Sequence, residues 1–268
     1  MSLSPGVCSV TLRRSSPPEV VDLALAAGLE CIEWGGDVHV PHGDIAAASR
    51  VGQLTRDAGM WVASYGSYLF ADGTVSEELP RVLDTAEALG APALRVWAPF
   101  GIEPGCGVAE FERTVECLNV ICGGAAGSHL EVYVEFHGGT LTSSAASALE
   151  LLVEVGEPNL RCGWQPPYWH PEPLETELAG IRSLSDRLGH IHVYNWLTDG
   201  TRCPLEDATG DWLRRLGATR RADSGTGFRR AALLEFVPGD DPSLLEREAL
   251  TLRRWLCPDA QMIPEESK

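Results

Sequence analysis

A short apolar, strand-like run followed by a helix-like run recurs along this chain about every 30 residues, and that rhythm is its strongest constraint. The strand readings are GVCSVTL (6–12), ECIEWGG (30–36), MWVASYG (60–66), ALRVWAP (93–99), LEVYVEF (130–136), NLRCGW (159–164), HIHVYNW (190–196) and AALLEFV (231–237). The helix readings are PPEVVDLALAAG from Pro17, then about 43–58, 76–89, 107–122, 143–155, 172–188, 210–216 and 242–256. Pro17 and Pro18 in the first turn and Gly28 past the end bracket the first helix; Gly59 and Gly90 close the next two. Eight such units in about 250 residues predict a single (β/α)₈ TIM barrel. A doubly wound open sheet is the rival, but it announces itself with a glycine-rich turn after the first strand, and TLRRSSPP (11–18) has no glycine.

The barrel domain is expected over 1–257, with PDAQMIPEESK (258–268) as a flexible tail. Within the charged, Gly- and Thr-rich stretch 197–230, the part around 219–228 reads as a mobile loop. With 268 residues, the chain is long enough to bury a substantial core without staples.

Four side chains close four of the C-terminal strand runs: Glu135, Gln165, His192 and Glu235. Parallel strands in a barrel bring their C-terminal ends to one face, where the active site sits. Two carboxylates, an imidazole and an amide oxygen gathered there suit a divalent metal with acid/base capacity. Each residue also has a plainer reading. Glu135 could form a buried ion pair with Arg95, His192 could be a satisfied core histidine, and Gln165, before Pro166 and Pro167, could bond a loop. Strand alternation puts Tyr133 and His137 on the face of Glu135, His190 and Tyr194 on that of His192, and Leu233 and Val237 on that of Glu235.

The chain resembles the xylose isomerase-like TIM barrels, the sugar phosphate isomerase/epimerase superfamily, over about 5–256. The carriers are GLECIEWGG at the second strand, VYVEFHGG at the fifth, HIHVYNW at the seventh and LLEFV at the eighth. That resemblance implies one divalent metal held by Glu, Asp or Glu, His or Gln, and Glu from strands five to eight. Glu135, His192 and Glu235 match it, whereas Gln165 stands where an acidic residue is usual, so the ligand set has two carboxylates in place of three. The ion is expected to be Mn²⁺, Mg²⁺ or Co²⁺, held less tightly than in relatives with the full acidic set.

Further candidates stand around these four. His137 follows Glu135 on the same strand face, and Glu33 in CIEWGG either binds a substrate hydroxyl or pairs with Arg95. Trp34, Tyr168 and Trp196 are expected to bind substrate, with other aromatics at strand ends walling a pocket or capping the core. His39 and His42 lie on the second loop and read mainly as solvated.

The leading expectation is a metal-dependent isomerase or epimerase of a small hydroxy-carbonyl, sugar-like substrate. Glu135 and Glu235 would move the proton next to the carbonyl through an enediolate. Loss of water from an inositol- or keto-sugar-type substrate is the enzymatic alternative, and a non-catalytic binding barrel the other. Phosphorylated substrates are not expected, because no basic cluster is visible at strand ends seven and eight and Arg229 and Arg230 precede the eighth strand.

The net charge of −17, from 38 acidic against 21 basic residues, disfavours nucleic acid, as does the lack of extra zinc-ligating residues typical of abasic-site nucleases. The eight scattered cysteines form no CxxC pair and read as free thiols. With no signal-like start and no apolar run long enough for a bilayer, membrane association is not expected and a reducing cytoplasm is the simplest home. The sequence leaves room for a homo-oligomer.

Overall fold

Eight parallel strands pair in chain order, and the first also pairs with the last, so the sheet closes on itself. The computed structural model describes residues 3–219 and 228–257. The strands are β1 (Ser4–Cys8), β2 (Cys31–Gly35), β3 (Trp61–Phe70), β4 (Ala93–Trp97), β5 (Glu131–Glu135), β6 (Leu160–Trp164), β7 (Leu188–Val193) and β8 (Ala231–Leu234). The helices that cover them are α1 (Pro17–Ala26), α2 (Ile45–Asp57), α3 (Val75–Leu89), α4 (Val108–Gly127), α5 (Ala145–Val155), α6 (Leu174–Leu184), α7 (Thr209–Thr219) and α8 (Leu245–Leu256). This is the (β/α)₈ barrel predicted from the strand–helix rhythm. The expected tail 258–268 and most of the loop expected around 219–228 lie outside the described residues.

Local chemistry sets the element ends. The Glu19 carboxylate accepts from the Ser16 backbone N–H at 2.7 Å, fixing the start of α1 ahead of Pro17. Asp44 accepts from the Ala47 N–H at 2.9 Å and starts α2. Gly90 ends α3 at φ 73°, a left-handed cap that a Cβ would strain.

Three strands end three or more residues before their apolar runs do. The run 6–12 is a strand only to Cys8, and Ser9–Leu12 form a 3₁₀ turn. Ser9 Oγ accepts from Gly35 N–H at 2.9 Å, which draws the chain across the barrel mouth. β7 stops at Val193, and Trp196 instead pairs with Arg202 in a small antiparallel ribbon. β8 stops at Leu234, and Phe236 turns left-handed at φ 63°. Period-two alternation fails at that point: Phe236 lines the cavity and Val237 is buried in the outer core.

Most apolar burial lies between sheet and helices, where Ile32, Leu94, Val132, Trp164 and Trp212 belong to one continuous cluster. The barrel interior holds a much smaller apolar group of Cys8, Val10, Cys31, Ala63, Ala231 and Leu233. Small side chains suffice there because buried charged and polar groups share the same space.

Candidate active site

The strand order fixes which side chains meet over the barrel axis. Glu135 ends β5, Gln165 follows β6 directly, His192 is in β7 and Glu235 follows β8 directly. The first three are buried, and the Glu235 side chain is 13% exposed. One donor atom each from Glu135, His192 and Glu235 lies within 4.8 Å of the other two. His192 Nδ1 is 3.3 Å from Glu235 Oε2 yet makes no well-aligned hydrogen bond, so it is a buried nitrogen without a partner.

Gln165 stands beside this group with its amide nitrogen inward. Nε2 donates to the Phe136 carbonyl at 2.6 Å and to Glu135 Oε1 at 3.3 Å. The side chain therefore serves a loop carbonyl as well as the site.

Below these groups, Arg95 in β4 joins two acids. Its Nε lies 2.9 Å from Glu33 Oε1, and its terminal nitrogen bonds Glu135 Oε2. Ser64 donates a further hydrogen bond to Glu33 at 2.6 Å. Glu33 is thus engaged as an ion-pair partner, and it does not line the cavity described below. The alternative of a substrate hydroxyl on Glu33 gives way to the pair.

Electrostatics follow from this packing. Burial alone would raise the Glu33 carboxyl, but Arg95 and His192 hold it well below the usual carboxylate range. Glu135 is raised, because its burial outweighs the pull of Arg95. Glu235 is lowered against its burial, chiefly by His192. Burial opposes a charge on His192, but the neighbouring Cys8 and Glu235 raise it well above the ordinary imidazole value. At neutral pH Glu235 is the effective anion, because burial pushes the Cys8 thiol up to about 12. A thiol that reluctant to ionise is a poor ligand, so the neighbouring Cys8–Glu33–His192 group suits a metal less well.

A cavity of about 360 Å³ opens above the triad, lined by Glu135, Gln165 and Glu235 and walled by aromatic rings. His137, Tyr168 and Trp196 line it. His137 stacks on Trp169 at 5.4 Å between ring centroids, and its Nδ1 is 2.8 Å from the Gly138 carbonyl. Nδ1 must donate there, which leaves Nε2 as the acceptor of the neutral ring. Tyr194 also lines the wall and donates its hydroxyl to the Pro166 carbonyl at 2.5 Å.

Trp34 does not reach this cavity. It is fully buried in the sheet–helix core, and its indole N–H donates to Thr55 Oγ1 in α2 at 3.1 Å. Trp34 is a packing residue, because it alternates with inward-facing Glu33. His39 is also buried, 3.0 Å from both Ser9 Oγ and the Ser15 carbonyl.

Arg13, Tyr68, Phe70, Trp97 and Phe236 line the cavity as well. The aromatic clustering at strand ends was the only sequence signal for the rings, and none existed for Arg13. Arg202 is a further correction: the ribbon after β7 places it with Arg13 and Arg14 around an adjoining hollow, so a basic group does stand near strand ends one, seven and eight. Arg229 is at the opposite barrel end, pairing with Glu30 at 3.1 Å.

This architecture is that of the xylose isomerase-like TIM barrels. A probable 3-DHS dehydratase, AsbF, from Bacillus anthracis matches with a TM-score of 0.78 at 20% identity, over 94% of this chain and 99% of that one. D-allulose 3-epimerase from Methylomonas sp., in complex with D-allulose, matches at 0.71 and 17% identity over 95% and 97% of the two chains. A xylose isomerase-like TIM barrel protein from Mycobacterium smegmatis, in complex with magnesium, matches at 0.71 and 11% identity over 95% and 96%. No protein-family model matches the sequence, and no curated protein matches it. Among the described residues, no helix is long and apolar enough to cross a membrane. All eight cysteines are free thiols.

Proposed function

We propose that this protein is a divalent-metal-dependent isomerase or epimerase of a small hydroxy-carbonyl, sugar-like compound. The observation that carries the proposal is the meeting of Glu135, His192 and Glu235 within 4.8 Å, with Glu135 and Glu235 lining an aromatic-walled cavity. The unpartnered, buried Nδ1 of His192 fits a metal ligand, and the two acids supply oxygen donors. Glu135, Gln165, His192 and Glu235 are the proposed ligand set for Mn²⁺, Mg²⁺ or Co²⁺; Gln165 would offer its carbonyl oxygen once its amide turns away from the Phe136 carbonyl it now serves. When bound, the ion polarises the substrate carbonyl and adjacent hydroxyl oxygens.

Proton transfer falls to the chain's own carboxylates. Glu235 is held low and partly open to the cavity, which suits removal of the proton next to the carbonyl. Glu135, across the barrel and pushed up by burial, suits its return to another face or atom. His137 and the aromatic walls orient the substrate and exclude water. The same fold carries a probable 3-DHS dehydratase and a D-allulose 3-epimerase, both enzymes of small molecules.

A second reading is loss of water from a related substrate after the same proton abstraction. The aromatic wall formed by Trp97 and Phe100, whose ring centroids are 5.4 Å apart, offers ring faces to an unsaturated product.

The test is solvent deuterium exchange into a panel of aldoses and ketoses with saturating Mn²⁺. Glu135→Gln and Glu235→Gln should each slow exchange by about 10²–10⁴-fold. Exchange at the wild-type rate in both variants removes these residues from the reaction. Mass analysis of the products separates rearrangement from loss of water.

A further inference from the structure

Beside the carboxylate-bearing cavity lies a second hollow of about the same size, 360 Å³. The two share Val10, Arg13 and Phe236 as walls, so they adjoin. Arg13 and Arg14 reach the second hollow from the turn after β1, and Arg202 from the ribbon after β7. In a chain of net charge −17, three arginines around one hollow run against the overall field.

Their placement is built rather than incidental. The Arg202 guanidinium carbon lies 4.0 Å from the Phe236 ring centroid and 5.1 Å from that of Trp196. Stacking on two rings holds its planar fork in place. Arg13 donates to Tyr68 Oη at 3.2 Å, which anchors it at the junction of the two hollows.

We propose that this hollow seats a carboxylate of the substrate, so that the enzyme acts on a hydroxy-carbonyl acid in preference to a neutral sugar; this rests on the function proposed above. Charge balance selects the anion. Arg13 pairs with Asp37 and Arg202 with Asp240, while Arg14 has no hydrogen-bond or ion-pair partner among the described residues. Three cations against two acids leave one positive charge, which matches a carboxylate better than a dianionic phosphate. The hollow adjoins the cavity at Phe236, the residue after Glu235, so the acid end and the reacting carbonyl end occupy neighbouring spaces.

The experiment is calorimetric titration of the full chain, with Mn²⁺ present, using hexuronates, each beside its matching hexose and hexose 6-phosphate. At least one hexuronate should bind about tenfold more tightly than its hexose, the scale of one charge-assisted contact. Arg202→Gln should abolish that preference. Arg14→Gln, which breaks no ion pair, should weaken it without affecting folding. No hexuronate preference in the wild type, or one unchanged in both variants, overturns the assignment. So does an arginine-dependent preference for the phosphate esters. Deuterium exchange in the same series reports on the carbonyl end alone. Arginine-dependent binding without exchange leaves the carboxylate seat standing and removes the catalytic reading. Equal exchange and binding for hexoses and hexuronates does the reverse.

Discussion

Arg95 Nε stands 2.9 Å from Glu33 Oε1, while the other arm of the same guanidinium bonds Glu135. One buried cation from β4 thus holds acids from β2 and β5. Replacing it with Met leaves two buried carboxylates without their counter-ion. Arg95→Met should lower stability by about 3–5 kcal/mol, the usual cost of breaking a buried pair on one side. Urea unfolding monitored by circular dichroism measures this, and an unchanged midpoint with an unchanged slope contradicts the pairing.

Gln165→Asp should act in two directions. Without metal it loses the 2.6 Å donation to the Phe136 carbonyl, and a buried acceptor left unpaired costs about 1–3 kcal/mol. With metal it adds an anionic oxygen, which should tighten Mn²⁺ binding by about tenfold. Thermal melts with and without Mn²⁺ should therefore show a lower apo midpoint and a larger metal-induced rise than the wild type. An equal metal-induced rise in both proteins places Gln165 outside the coordination shell.

His192 couples metal binding to pH. Its folded value is raised, so the metal-free imidazole holds its proton to higher pH than an ordinary histidine, and a metal must displace that proton. Mn²⁺ affinity should rise with pH, about tenfold per unit, until that proton is gone, with about one proton released per ion bound. Titrations in buffers of different ionisation enthalpy count the proton. His192→Ala should abolish binding, and binding that persists in the variant excludes the site.

His190 supplies a separate acid-side effect on folding. Burial lowers it to about 4, and its imidazole faces the Ala63 carbonyl at 2.9 Å and the Ala231 N–H at 3.0 Å. The unfolded chain takes up this proton near 6.5, so the contribution is fully present above that pH and is lost as pH falls towards 4. The loss should amount to roughly 3 kcal/mol. His190→Asn should flatten the fall in denaturant midpoint across this window; an unaltered pH profile assigns the acid sensitivity to other groups.

The barrel was legible in the sequence because every strand had to be buried on both faces, which keeps its run short and mostly apolar, and every helix on one. Glu135, His192 and Glu235 were legible because each interrupts an apolar run at a place where a charge needs a reason. Trp34 misled because an aromatic at a strand end looks alike whether it faces the axis or the helices; only its alternation with Glu33 separates the two. Val237 misled for a different reason: the positive φ of Phe236 reverses the facing of the chain, and no local sequence pattern signals a left-handed phenylalanine. The arginine group was hidden because its members come from the first and seventh loops.

Thr11 clamps the two ends of the barrel at its mouth. Its hydroxyl donates to the Leu234 carbonyl at 3.2 Å and accepts from the Phe236 N–H at 2.9 Å, so it grips the chain on both sides of Glu235. Partners separated by 223 residues meet only once the whole circuit has formed. A chain in which only strands five to seven had paired would lack Glu235, so a complete triad certifies a closed barrel. Metal uptake during refolding would then time the closure of the last seam, and a partly folded chain would be barred from premature chemistry.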